Sequence, residues 1–219
     1  MTIRTLIVTG FGINCEREMS LASRMAGAHS TFIHAKALLG NPAVVMEYDH
    51  IYFPGGFSFA DELGAGQALA NKMRFSVAHG QESLKERLLN FVQSGGCILG
   101  VCNGFQLLIK LGLLGEGKVS LTFNDSDKFE NRWAWHTVCA SPCIWTEGVG
   151  TIALPLRHGE GKIVCSSEAV RSALFAEGRV ALQYCTPDGD PTQDYPHNPN
   201  GSEDAIAGLC DATGRILGL

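Results

Sequence analysis

Residues 97–108 read CILGVCNGFQLL. Cys97, Ile98 and Leu99 are a short apolar run, Gly100-Val101-Cys102-Asn103-Gly104 is a turn, and Phe105, Leu107, Leu108 and Leu111 recur with a helical period. A short buried strand, a glycine-flanked reactive side chain and an amphipathic helix, in that order, spell a strand-to-helix elbow. Glycine two residues before and two after Cys102 leaves room for a sharp turn that lifts the thiol above the sheet. A thiol there sits at a helix N-terminus, whose positive end favours the thiolate. A lone cysteine in this place fits an ordinary buried joint as well; the paired glycines favour a nucleophile.

Upstream, the apolar run His50 to Phe53 predicts a strand that ends in Pro54-Gly55-Gly56-Phe57-Ser58. A Pro-Gly-Gly corner at the carboxyl end of a parallel strand is where α/β proteins place ligands, and glycine lets a backbone N–H face one directly. A plain tight turn would use the same residues. Thr5 to Val8 predicts a first parallel strand, followed by the turn Gly10 to Asn14. Asn14 is the expected N-cap of a helix buried through Met19, Leu21, Ala22 and Met25. The glycines at 10 and 12 lack a third in register, which argues against a dinucleotide turn. Ser30 to Ile33 predicts a second strand and Pro42 to Glu47 a short helix. Gln67 to Met73 and Gln81 to Gln93 predict amphipathic helices, the latter closed by Ser94-Gly95-Gly96.

Downstream of Gly112 the pattern changes to short β-like runs: Val119 to Phe123, Trp133 to Ala140, Ile144-Trp145 and Thr151 to Leu156. They predict a mixed or antiparallel extension. His158-Gly159-Glu160-Gly161 is a glycine-flanked turn that reads equally as a site or a hairpin. Ser167 to Phe175 predicts a helix, Val180 to Cys185 a strand, and residues 186–201 a long loop. Ala205 to Leu209 and Arg215 to Leu219 predict a closing hairpin. Without repeat, linker or low-complexity tract, residues 1–219 read as one α/β domain.

The 219 residues are 45% hydrophobic with a formal charge of −5, enough for one large core or at most two small ones and without a basic face for nucleic acid or an anionic membrane. No apolar run approaches the roughly 20 residues of a membrane span, and MTIRTLIVTG reads as a strand and not as a leader. The eight cysteines are scattered without a C-x-x-C pair, which predicts reduced thiols in the cytoplasm. Cys139 and Cys143 lack partners at zinc-ligand spacing, so no metal is expected.

FPGGFS at 53–58, GVCNGFQ at 100–106 and the closing GRILGL resemble class I, triad-type glutamine amidotransferases. GINCERE at 12–18, FSFADELGAG at 57–66, NDSDKFENRW at 124–133, HGEG at 158–161 and NPNGS at 198–202 narrow the resemblance to the glutaminase subunits of phosphoribosylformylglycinamidine synthases. It runs over almost the whole chain. The resemblance implies a flavodoxin-like three-layer α/β/α fold with a mainly parallel sheet and a mixed extension. It also implies that Cys102 attacks the glutamine side-chain amide, with the backbone N–H groups of Gly56 and Asn103 as oxyanion hole. Gly55, Phe57, Gln106, Asn124, Arg132 and Trp133 would hold glutamine, and His158 and Glu160 would lie near the site or the partner surface. It implies no cofactor here, and a large ATP-dependent synthetase subunit as partner, carrying ATP and Mg, together with a small accessory subunit.

In the family pattern a His-x-Glu follows directly after the strand that reads here as Arg215 to Leu219, and it completes the triad. The printed residues stop at Leu219, which reads as an interrupted domain, so these residues by themselves are expected to be alkylated at Cys102 yet to turn over little glutamine. Two other classes compete with an amidotransferase: a different cysteine hydrolase on the same elbow, and a non-catalytic module that caps a synthetase. Labelling of Cys102 by a glutamine-like electrophile separates the first; association surviving Cys102→Ala without ammonia production would favour the second.

Overall fold

The computed structural model describes residues 2–76 and 82–219. Two compact units divide the chain, Met1–Leu113 and Leu114–Leu219.

The first unit alternates strand and helix: β1 (Arg4–Thr9), α1 (Glu16–Met25), β2 (His29–His34), α2 (Ala35–Gly40), a 3-10 turn (Pro42–Glu47), β3 (His50–Phe53), a second 3-10 turn (Ser58–Asp61), α3 (Gln67–Phe75), α4 (Leu84–Gln93), β4 (Cys97–Gly100) and α5 (Asn103–Leu111). Its strands pair in the order β2-β1-β3-β4, all parallel. Continuous apolar runs make such strands because both faces of a parallel sheet are covered. Ile7, Ile51, Phe53 and Ile98 are fully buried, as are Leu88 of α4 and Leu108 of α5. Each such side chain contributes about 1.5–3 kcal/mol through burial. Parallel connectivity brings the ends of β1, β3 and β4 to one edge. There the N–H groups of Asn14 and Cys15 both donate to the Gly55 carbonyl at 3.2 Å, and Ile13 bridges Gly56.

The second unit holds β5 (Val119–Phe123), β6 (Glu130–Val138), β7 (Ile152–His158), β8 (Glu160–Cys165), α6 (Glu168–Ala176), β9 (Val180–Cys185), β10 (Ile206–Cys210) and β11 (Ile216–Gly218). The strand order β11-β10-β9-β6-β7 is antiparallel throughout. Strand β8 pairs instead with β5. The HGEG turn is therefore where the chain leaves one sheet for another, and not the tip of a hairpin between its own flanking strands.

The parallel sheet and antiparallel extension are as the sequence predicts; several details are not. Helix α1 is capped by Cys15 and not Asn14, because Asn14 still belongs to the turn held by Gly55. Its inward face is Ser20 and Ser23, which bond Ser30 at 2.8 Å and Thr5 at 3.1 Å, whereas Leu21 and Met25 are 54% and 79% exposed. Hydroxyl contacts replace the apolar stripe on that helix. Helix α4 begins at Leu84: Ser83 and Glu86 form a reciprocal capping box, which fixes the first turn. The predicted start at Gln81 lies outside the described residues. Ile144–Thr146 is a 3-10 turn and not a strand, and α2 and β8 are additional elements.

Candidate active site

Strand β4 and helix α5 meet at Cys102 with φ 55° and ψ −111°. A non-glycine residue in this region is costly and persists only where surrounding contacts impose it. The contacts are close. A side chain at Gly104 would overlap the Phe53 carbonyl, and one at Gly100 would lie 2.7 Å from the Gly104 carbonyl oxygen. Glycine at both positions lets the helix start press onto β3 and β4, which is the strained elbow the spacing predicts.

The Pro-Gly-Gly corner stands opposite. The Cβ of Cys102 is 3.4 Å from the place where a Gly55 side chain would begin. Gly56 has φ 147° and leaves no room for a side chain, with the Gly12 carbonyl oxygen 2.6 Å from that position. The backbone N–H groups of Asn103 and Gly56 both favour the Cys102 thiolate, yet burial outweighs them and holds the thiol above its ordinary pKa. Cys15 and Asp61 add to that rise. This corrects the expectation of a thiolate favoured by the helix end: the helix contributes in the expected direction, but desolvation dominates.

Around the thiol, Gln106 is buried and its Oε1 accepts a hydrogen bond from the Asn103 amide at 2.9 Å. Phe57, 49% exposed, donates its N–H to the Gly12 carbonyl at 2.9 Å. Gly55, Gly56, Phe57, Cys102, Asn103 and Gln106 thus gather at one edge of the first unit. Three neighbours there were not singled out in the sequence: Cys15, Ser58 and Asp61. Their signal was present, since they fall inside GINCERE and FSFADELGAG, but nothing in their chemistry alone set them apart.

The remaining candidates belong to the second unit. Asn124 is 1% exposed; its amide donates to the carbonyls of Lys128 and His158 at 2.9 and 2.8 Å. Its Oδ1 accepts from His158 Nδ1 at 3.1 Å and from the Gly161 N–H at 3.2 Å. The His158 ring covers Gly161 so closely that any side chain there would overlap it. Burial pushes the His158 pKa down to about 4, so the ring is neutral. The NPNGS segment joins the same cluster: Asn200 donates to the Gly161 carbonyl at 2.8 Å and to the Tyr184 hydroxyl at 3.0 Å. Arg132 pairs with Glu130 at 2.6 Å and lies 4.8 Å from the Tyr195 ring centre. Trp133 is 70% exposed opposite Pro155 on β7, and Glu160 opens β8 opposite Phe123.

The strained elbow at Cys102 faces the Pro-Gly-Gly corner, and the chain matches the CobB/CobQ-like glutamine amidotransferase domain over residues 2–219. The chain belongs to that family. It is similar to the phosphoribosylformylglycinamidine synthase subunit PurQ of Methanococcus maripaludis, with 38% identity over 99% of this chain and 79% of the relative. The PurQ subunit of Dehalococcoides mccartyi is 39% identical over 99% of this chain and 83% of its own length. Among solved structures, PurLQS from Thermotoga maritima covers 100% of this chain and 86% of the matched chain, with TM-score 0.72 and 28% identity. Among the described residues, no helix is long and apolar enough to cross a membrane.

Proposed function

We propose that Cys102 is the nucleophile of a glutaminase that releases ammonia for phosphoribosylformylglycinamidine synthesis in the purine pathway. The thiolate adds to the side-chain amide carbon of glutamine, the negative charge collects on the carbonyl oxygen, and the C–N bond breaks as the proton taken from the thiol passes to the departing nitrogen, giving a glutamyl thioester and ammonia. Water then hydrolyses the thioester to glutamate and restores the thiol. The observation that carries this reading is the strained Cys102 elbow set against the Pro-Gly-Gly corner, with the Gly56 and Asn103 N–H groups directed at the thiol, since two donors at that place can follow the charge from sulfur to the oxyanion. A high resting thiol pKa calls for a base that removes the proton only when glutamine is bound; the resemblance assigns this to a histidine of the His-x-Glu that follows the last strand.

Gly55, Phe57 and Gln106 border the space where glutamine would lie. Asn124, His158 and Glu160 shape the HGEG turn, and Arg132 and Trp133 lie on β6; these are assigned to glutamine or to the partner surface. Ammonia is useful only if protected from water, so the partner is an ATP-dependent synthetase subunit like that of PurLQS, assisted by a small accessory subunit. ATP and Mg bind there and no cofactor binds here. Eight free cysteines accord with work in the cytoplasm.

The test is Cys102→Ala in the assembled synthase. Glutamine-dependent product formation should fall by about a thousandfold or more, while synthesis from added ammonium salt continues. Glutamine-dependent activity that survives the substitution would overturn the assignment.

A further inference from the structure

Three consecutive non-glycine residues, Phe59, Ala60 and Asp61, are left-handed, with φ of 56°, 54° and 53°. Left-handed backbone is costly for residues that carry a side chain, and such a run persists only where it is held. It begins three residues after Gly56. What holds it from the side of the elbow is the Asn103 side chain, itself 2% exposed. Its Oδ1 accepts from the Ser58 N–H at 3.1 Å, and its Nδ2 donates to Asp61 Oδ1 at 3.2 Å and to Gln106 Oε1 at 2.9 Å. Asp61 Oδ1 also accepts the Gly66 N–H at 3.4 Å, which ties the far end of the turn to the start of α3. On its other side the turn leans on the first loop, where the Phe59 N–H donates to the Phe11 carbonyl at 2.6 Å and the two rings stack with centroids 4.5 Å apart.

One residue therefore touches both halves of the donor pair. The main chain of Asn103 supplies one N–H, and its side chain grips the turn that continues from the other. We propose that the Asn103 carboxamide, anchored on Asp61, is a positioning residue that fixes the Gly56 and Asn103 N–H groups at the spacing an oxyanion needs. The inference rests on the reading of Cys102 as nucleophile. Leaving the oxyanion site even slightly too wide forfeits much of the gain from preorganised donors.

The experiment uses the assembled synthase with three variants: Asn103→Leu, Asn103→Asp, and Asn103→Asp combined with Asp61→Asn. Asn103→Leu should lower glutamine-dependent kcat by about a hundredfold with KM changed by less than about threefold. Alkylation of Cys102 by iodoacetamide forms no oxyanion, so its limiting rate at high pH, where the thiol is fully ionised, should be kept even if its pH profile moves. Asn103→Asp sets two carboxylates against each other and should lose as much. Adding Asp61→Asn rebuilds the bond between residues 103 and 61 with donor and acceptor exchanged, at the expense of the Gly66 contact, and should recover at least about tenfold of kcat. An unchanged kcat in Asn103→Leu, or no recovery in the exchanged pair, overturns the proposal. So does parallel loss of alkylation, which would mark a merely structural role. If Asn103→Leu does not assemble, as ammonium-dependent synthesis reports, the exchanged pair decides alone. Failure of the underlying reading shows separately, as glutamine turnover without Cys102.

Discussion

Cys15 and Cys102 approach the same point: the position where a Gly55 side chain would begin is 3.4 Å from Cys15 Sγ and 3.4 Å from Cys102 Cβ. Each cysteine is the N-cap of its helix, α1 and α5, so two helix starts converge on one glycine. The Cys15 thiol acts on Cys102, since charge on Cys15 raises the Cys102 pKa. Cys15→Ser removes that charge. The pH profile of Cys102 alkylation should then move to lower pH, and a profile unmoved or displaced upward would refute the coupling.

Gly56→Ala should be among the most damaging single changes at the site. The residue has φ 147°, and a side chain would lie 2.6 Å from the Gly12 carbonyl oxygen and 2.7 Å from Ile13 Cα. The corner must shift, taking its N–H with it. Glutamine-dependent kcat should fall by about a hundred- to a thousandfold, the effect of losing one oxyanion donor. Measuring kcat beside ammonium-dependent synthesis separates this from failure to assemble.

Acid stability should carry the mark of His158. Its pKa falls from 6.5 to about 4 through burial, so between these values the unfolded chain takes up a proton that the folded chain refuses. Stability conferred by the neutral ring is complete above pH 6.5, declines as pH falls towards 4, and is level below that. His136, also lowered by burial, steepens the same limb. His158→Gln, which keeps a hydrogen-bonding side chain, should flatten the decline in denaturant titrations across that window; an unchanged slope would exclude His158 as its source.

Asn200→Ala should cost about 1–3 kcal/mol, because it strands buried partners and not merely one bond. Asn200 is fully buried. The Gly161 carbonyl and Tyr184 hydroxyl lose its amide, and Ser202 loses the oxygen that accepts from its N–H at 3.0 Å and its hydroxyl at 2.8 Å. For a chain of this length the melting temperature should drop by about 2–4 °C per kcal/mol.

Much of the first unit was legible because each of its signals is local. The run Cys97 to Leu111 names a strand, an elbow and a helix within fifteen residues, and Pro54-Gly55-Gly56 marks its own corner. The second unit was harder to read. Glu160 to Cys165 was missed as a strand because its partner is β5, forty residues earlier, and nothing near HGEG says so. Helix α1 misled for a different reason: Leu21 and Met25 carry the apolar pattern, but the face that meets the sheet is held by Ser20 and Ser23. The helix end at Cys102 was placed correctly while its electrostatic result was not, since desolvation depends on packing that no motif records. The work of the Asn103 side chain was invisible, because its partners Ser58 and Asp61 stand more than forty positions away.

The left-handed run Phe59–Asp61 also bears on how this molecule can be improved and at what expense. A glycine adopts that backbone freely, so Ala60→Gly should relax the turn and, if relief outweighs the added freedom of the unfolded chain, raise heat resistance. The same relaxation would let the Gly56 corner wander. Laboratory selection for thermal tolerance should therefore find this turn quickly, and the survivors should be sturdier proteins and slower ones.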